Sequence, residues 1–215
     1  MKTFSFEQRV VHHLILQSPF IKDMGLFHGK MGIALFFFEY GRHTGCDVYT
    51  DIAEELLDDI WEQIHTELSF RFDSGLSGIG WGIEYLLQNR FISGDGNEVC
   101  EEIDRIIMQT DLCRLDDLRL DTGLEGISYY VSSRMQGAAS QKNPLPFDRQ
   151  YRENLHHVNP FFDMDDLDAF YNRYPVSVSP FLNSALLTEE TYVSASLGLK
   201  DGLAGFLLKQ QMQRS

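Results

Sequence analysis

The sequence is poor in positive charge. It carries 18 Lys and Arg against 32 Asp and Glu, a net charge of -14. That balance excludes a broad basic face of the kind that grips a phosphate backbone, so no nucleic-acid partner is expected. Cysteine is scarce too. Cys46, Cys100 and Cys113 are odd in number, widely spaced and outside any CxxC pattern. Such thiols suit a reducing compartment better than a disulfide frame, so the expected location is the cytoplasm. No stretch approaches the roughly 20 apolar residues that span a bilayer. The richest run, Gly32 to Phe38, closes with Glu39, and no membrane association is expected. The first residues, MKTFSFEQRVVHHLILQS, show neither a long apolar core nor a small-residue cleavage site and do not read as a signal peptide. Walker A, HExxH and GxSxG motifs are missing, and GIGWG has no strand before it. Residue chemistry alone therefore assigns no catalysis.

What is present is apolar and repetitive. Hydrophobic residues make up 43% and aromatics 13%, which excludes a disordered chain. Four segments run from glycines into an apolar helix: GLFHGKMGIALFFF from Gly25, GLSGIGWGIEYLL from Gly75, GLEGISYYV from Gly123 and DGLAGFLLKQQ from Asp201. The first three start about 50 residues apart, the signature of stacked supersecondary units. Between them the pattern predicts amphipathic helices. Tyr49 to Leu68 places Ile52, Leu56, Ile60 and Ile64 on one face, with Thr50 or Asp51 as N-cap. Asn97 to Gln109 repeats the design with Val99, Ile103, Ile106 and Ile107. Each unit reads as a helical hairpin with an outer amphipathic member and an inner glycine-headed one. The expected fold is all-α, a single domain over residues 1–215 with an irregular, proline-containing insertion at about 137–180. Within that insertion Asp163 to Asp168 reads as an acidic helix start.

Several residues attract chemical readings. Asp73-Ser74-Gly75 and Asp121-Thr122-Gly123 match the triplet of aspartic proteases. Both run straight into helix, whereas the protease needs paired carboxylates on β-hairpin loops. Helix N-capping by Asp, Ser or Thr is the expectation instead. His28, inside the first glycine segment, is a candidate acid, base or ligand. The adjacent pairs His12-His13 and His156-His157 fall on different helix faces and read as surface. Trp61 and Trp81 read as core, with Trp81 also a candidate for lining a pocket. Asp73, Glu84, Asp121 and Glu125 are the carboxylates from which a sugar-processing α/α barrel would draw a pair.

The repeated GLxGxxG pattern, clearest in GLFHGKMGIALFF and GLSGIGWGIEYLL, resembles the lanthionine synthetase C-like family. The resemblance implies an α/α toroid whose inner helices line a cavity, with glycine loops at one mouth. It also implies a zinc ion, held by two cysteines and a histidine, that activates a peptide thiolate for addition to a dehydroamino acid. Against the family's late LCHGLAG motif this chain has Leu199-Lys200-Asp201-Gly202-Leu203-Ala204-Gly205, so Lys200 and Asp201 stand where cysteine and histidine would. The other ligand cysteine is missing as well. No zinc or other cofactor is therefore expected, and zinc-dependent cyclase activity is not.

Candidate catalytic or mouth residues are His28, Asp73, Asp121 and Asp201, expected to converge at one mouth. Candidates for cavity or peptide contact are His28, Trp81, Glu84, Glu125 and Lys200. The resemblance implies about seven hairpins, whereas four and a degenerate fifth are recognisable, so an incomplete ring is expected. Its inner-helix surface, such as Phe36, Phe37 and Leu207, would then be covered by a second copy or a partner. The function expected is a non-catalytic module that binds a peptide or a maturation enzyme in a peptide-modification system. The alternatives are an active thioether-forming enzyme and the carbohydrate-active barrel.

Overall fold

In the computed structural model the described residues are 4–64, 68–182 and 187–214. Among them there are ten α-helices and no strand. In chain order these are α1 (Phe6–Gln17), α2 (Lys30–Thr44), α3 (Asp47–Gln63), α4 (Leu76–Gln88) and α5 (Gly96–Val99). Then follow α6 (Glu101–Ile107), α7 (Leu124–Gln141), α8 (Arg149–Val158), α9 (Asp168–Arg173) and α10 (Leu203–Arg214). The chain falls into two compact units. Unit 1 joins Met1–His65 to Val178–Ser215, and unit 2 is Thr66–Ser177.

Unit 1 is built on α2, which is buried along almost its whole length. Phe36, Phe37 and Phe38 are within 1% of complete burial, and each contributes about 1.5–3 kcal/mol by leaving water. A polar residue interrupts the run only at Glu39, so this helix can face neighbours on every side. It ends at Gly45, whose φ of 66° supplies the left-handed C-cap. Two residues later α3 returns, forming the predicted hairpin. Its start is Asp47 with Cys46 at the N-cap, earlier than Thr50 or Asp51 would put it, and it stops at Gln63. The end predicted at Leu68 is not reached, and residues 65–67 lie outside the described residues. Trp61, expected in the core, is 39% exposed. The amphipathic α1 starts from a capping box in which Ser5 and Gln8 each accept the other's backbone N–H. The last helix, α10, lies against both α2 and α1. Phe36, Phe37 and Leu207 are all buried there. The apolar face from which association was expected is thus consumed inside the unit, because the last glycine segment folds back onto the first.

Unit 2 centres on α4 against α7. Trp81 is wholly buried, stacked on Tyr85 at 5.6 Å and edge-on to Phe72. It is core, as one of its two readings had it. The helix expected over Asn97 to Gln109 is broken at Cys100 into α5 and α6 and ends at Ile107. The irregular stretch after 137 holds more helix than its prolines suggest. α7 continues to Gln141, and α8 starts where the Asp148 carboxylate accepts the Tyr151 N–H at 2.7 Å. Asp163 to Asp166 precede α9 instead of opening it. There the Asp163 and Asp166 carboxylates accept the backbone N–H groups of Asp165 and Asp168.

Candidate functional site

All four glycine segments do open helices, and in the same way. The N-caps are Gly29, Gly75, Gly123 and Gly202. In each case the first helical N–H donates to a carbonyl seven residues upstream: Lys30 to Asp23, Leu76 to Ser69, Leu124 to Asp117 and Leu203 to Ser196, all at 2.8–2.9 Å. The backbone doubles back so tightly that a Cβ on any of the four caps would overlap an upstream backbone carbonyl. That close approach is why the position is glycine. The capping expected from Asp73-Ser74 and Asp121-Thr122 does not occur, since the cap residues are glycines without side-chain bonds. Ser74 donates to the Asp73 carboxylate instead, and Thr122 to that of Asp117. The structure also resets the register of the first segment. Its equivalent of Gly75 is Gly29, not Gly25.

With that register the loops pair, two to a unit. In unit 1 the Lys200 N–H donates to the Phe27 carbonyl at 2.9 Å. In unit 2 the Asp73 N–H donates to the Asp121 carbonyl at 3.1 Å. All four residues lie two before their cap glycine, so the same bond is made twice. A second match accompanies it. The glycine three after the cap receives a side chain from the partner loop, Leu199 against Gly32 and Phe72 against Gly126. His28 and Asp201 therefore stand on adjoining loops in unit 1, and Asp73 and Asp121 on adjoining loops in unit 2. Those are the convergences within each unit.

The loop chemistry differs between the units. In unit 1 the Lys200 ammonium lies 4.7 Å over the Phe27 ring, a cation–π contact. His28 and Asp201 are exposed beside it, and Asp201 holds a left-handed backbone with φ 54°. In unit 2 arginines take over. Arg71 makes a forked pair with Asp73, as Arg119 does with Asp117. Asp73 is partly buried, which works against ionisation, but bonds from Arg71 and Ser74 hold its carboxyl below the ordinary range. Glu125 on α7 is paired with Arg173 at 3.0 Å.

Glu84 is not at these loops. It lies inside unit 2, 1% exposed, in a charged cluster that the sequence reading missed. The Arg134 guanidinium, itself 0% exposed, donates to Glu84, to both oxygens of Asp104 and to Asn97 at 3.0 Å. Tyr130 adds a hydroxyl donor to Asp104 at 2.5 Å, and Gln88 donates to Glu84 at 2.9 Å. Burial dominates both acids and raises their carboxyl pKa values in spite of Arg134. Gly137 and Gly96 leave room for the cluster, since a Cβ on either would meet Glu84 or Arg134. With its partners supplied from within, the cluster pins α4, α5, α6 and α7 together. It offers no free carboxylate pair for sugar hydrolysis.

An all-helical array of hairpins, each opened by a doubled-back glycine loop, defines a known class of protein. A family model for lanthionine synthetase C-like proteins matches residues 21–158, and the chain belongs to that family. The match takes in the first three glycine loops and stops before the fourth. No curated protein matches the sequence.

The family's zinc ion does not fit the residues present. Lys200 is engaged with the Phe27 ring, and an ammonium donates where a metal needs a lone pair. Cys100 is wholly buried, and burial pushes its thiol pKa up, away from the thiolate a metal requires. Cys46 and Cys113 lie on other segments, at the α3 cap and before α7. Among the described residues no three His, Cys, Asp or Glu side chains gather as a metal site.

Proposed function

We propose that this protein is a non-catalytic member of its family. In this reading it holds a peptide, or a maturation enzyme that modifies a ribosomally made peptide, at the paired glycine loops. One observation carries the reading: the loop frame is intact while the family's cysteine position holds Lys200, whose ammonium is engaged with the Phe27 ring. In unit 2 the Asp73 carboxylate is likewise engaged, with Arg71. Such a frame presents fixed donors, acceptors and charges, and it carries an ammonium where the family places a zinc-binding thiolate. The three cysteines are free, which suits a reducing, cytoplasmic setting for such a module.

The test uses a dehydrated precursor peptide that keeps its cysteines. Protein purified without chelator is assayed for zinc, then mixed with the peptide, and free thiols are counted over time. The expected outcome is no stoichiometric zinc and no thiol consumption, with saturable binding of the peptide or of its dehydrating enzyme. Stoichiometric zinc with thiol loss would make the protein a cyclase. Failure of both the peptide and the enzyme to bind would end the binding reading.

A further inference from the structure

The position after the cap glycine is leucine in three loops: Leu76, Leu124 and Leu203, all buried. In the first loop it is Lys30. Its side chain is also buried, 5% exposed, and its ammonium reaches the Asp59 carboxylate on α3. A lysine at the positive end of a helix, in a core position, is unfavourable on both counts. Asp59 is also on the wall of a cavity of about 230 Å³. That cavity lies between the end of α1 with its following turn and α3. Its apolar wall is Ile15, Pro19, Ile52 and Leu56, and its acidic side is Glu55 and Asp59. Ser18 also lines it, 0% exposed, with a hydroxyl that has no hydrogen-bond partner among the described residues. A buried hydroxyl left unsatisfied costs about 1–3 kcal/mol, so its presence in a cavity wall points to a visiting polar group.

We infer that this cavity receives a lysine side chain of a peptide partner. The aliphatic wall matches the methylene stem, while Glu55, Asp59 and the Ser18 hydroxyl supply acceptors for the ammonium. Two acids against one lysine leave the cavity net negative. The outer face of α3 continues that sign with Asp51, Glu54 and Asp58, all exposed. Leu16 and Phe20, next in sequence to the lining residues Ile15 and Pro19, are 67% and 79% exposed and offer apolar contact to the residues flanking the lysine. The site rests on the cavity alone and holds whether or not the glycine loops bind a precursor.

The probe is the capped peptide acetyl-Ala-Lys-Ala-Leu-amide, compared with its norleucine counterpart, which keeps the stem and loses the charge. Each is titrated into the isotope-labelled full chain and read by amide shifts. The lysine peptide is expected to move Ser18, Ile52 and Glu55 and to bind at least about fivefold more tightly. Glu55→Gln, on an exposed residue, is expected to remove most of that preference, as is high salt. Equal affinities, shifts confined to other regions, or a preference that survives Glu55→Gln would each overturn the assignment.

Discussion

Unit 1 and unit 2 close their loop pairs with the same backbone bond, from Lys200 to Phe27 in one and from Asp73 to Asp121 in the other. Their side chains diverge around it. The unit 1 loops read Gly-Leu-x-x-Gly (25–29 and 198–202), and the unit 2 loops read Arg, Phe or Leu, Asp, Ser or Thr, Gly (71–75 and 119–123). The contrast runs into the cores. Unit 1 buries a run of phenylalanines and one lysine whose partner, Asp59, is half-exposed. Unit 2 buries a complete arginine–carboxylate cluster. In this chain the loop geometry resides in glycines and carbonyls, which repeat in both units, whereas the two residues before each cap glycine differ from one unit to the other.

The contrast can be broken most sharply at Arg134. Arg134→Met leaves Glu84 and Asp104 buried without their cation and is expected to destabilise the protein by about 3–5 kcal/mol in denaturant titration. A loss below about 1 kcal/mol would mean that water already reaches the cluster. The shared frame is tested by Gly32→Ala and Gly126→Ala, equivalent positions in the two units. Each forces a Cβ into the partner loop's side chain and into a carbonyl of its own loop, at an expected cost of about 1–3 kcal/mol. Similar losses support the equivalence, and one neutral variant would break it.

Lys30→Leu gives the first loop the residue of the other three. Because Asp59 stays solvated, the change is expected to be neutral or to stabilise by about 1 kcal/mol, read as a slightly higher Tm. A large loss would make the lysine a structural requirement.

The smallest effect is in pH dependence. The Glu84 carboxyl titrates above its ordinary range when folded, chiefly because it is buried. The folded state then holds that proton more tightly than the unfolded chain. Its contribution is present at low pH and is lost as pH rises through the raised value. Glu84→Gln should remove this slope, so wild type should lose Tm relative to the variant as pH rises above the ordinary carboxylate range. A difference that is flat or runs the other way contradicts the burial account.

Much of the fold was legible, because apolar periodicity and the glycine segments are local signals. Helices α2, α4, α7 and α10 lie where those signals put them, and α3 does so with both ends shifted towards the N-terminus. The errors came where a long-range contact decides. Asp73 and Asp121 look like caps in sequence, but the doubled-back loop places glycine at the cap, turns the Asp73 carboxylate to Arg71 and gives the Asp121 carbonyl to the neighbouring loop. Trp61 follows the apolar period of α3 poorly and surfaces, as acidic Asp58 and Glu62 beside it suggest. The Arg134 cluster joins residues 30 and 50 positions apart, which no local pattern shows. Lys30 could have been found. Aligning the loops on Gly-x-x-Gly, as Gly29 and Gly32 require, sets it directly beside Leu76, Leu124 and Leu203.

The central proposal is that the loop frame binds a peptide without thiol chemistry. It is tested most directly by titrating the dehydrated, cysteine-bearing precursor peptide calorimetrically, once with added zinc and once with a chelator, and then counting peptide thiols by mass spectrometry. The account predicts the same binding isotherm in both and every thiol intact. Thioether closure that appears with zinc and vanishes with the chelator would contradict it.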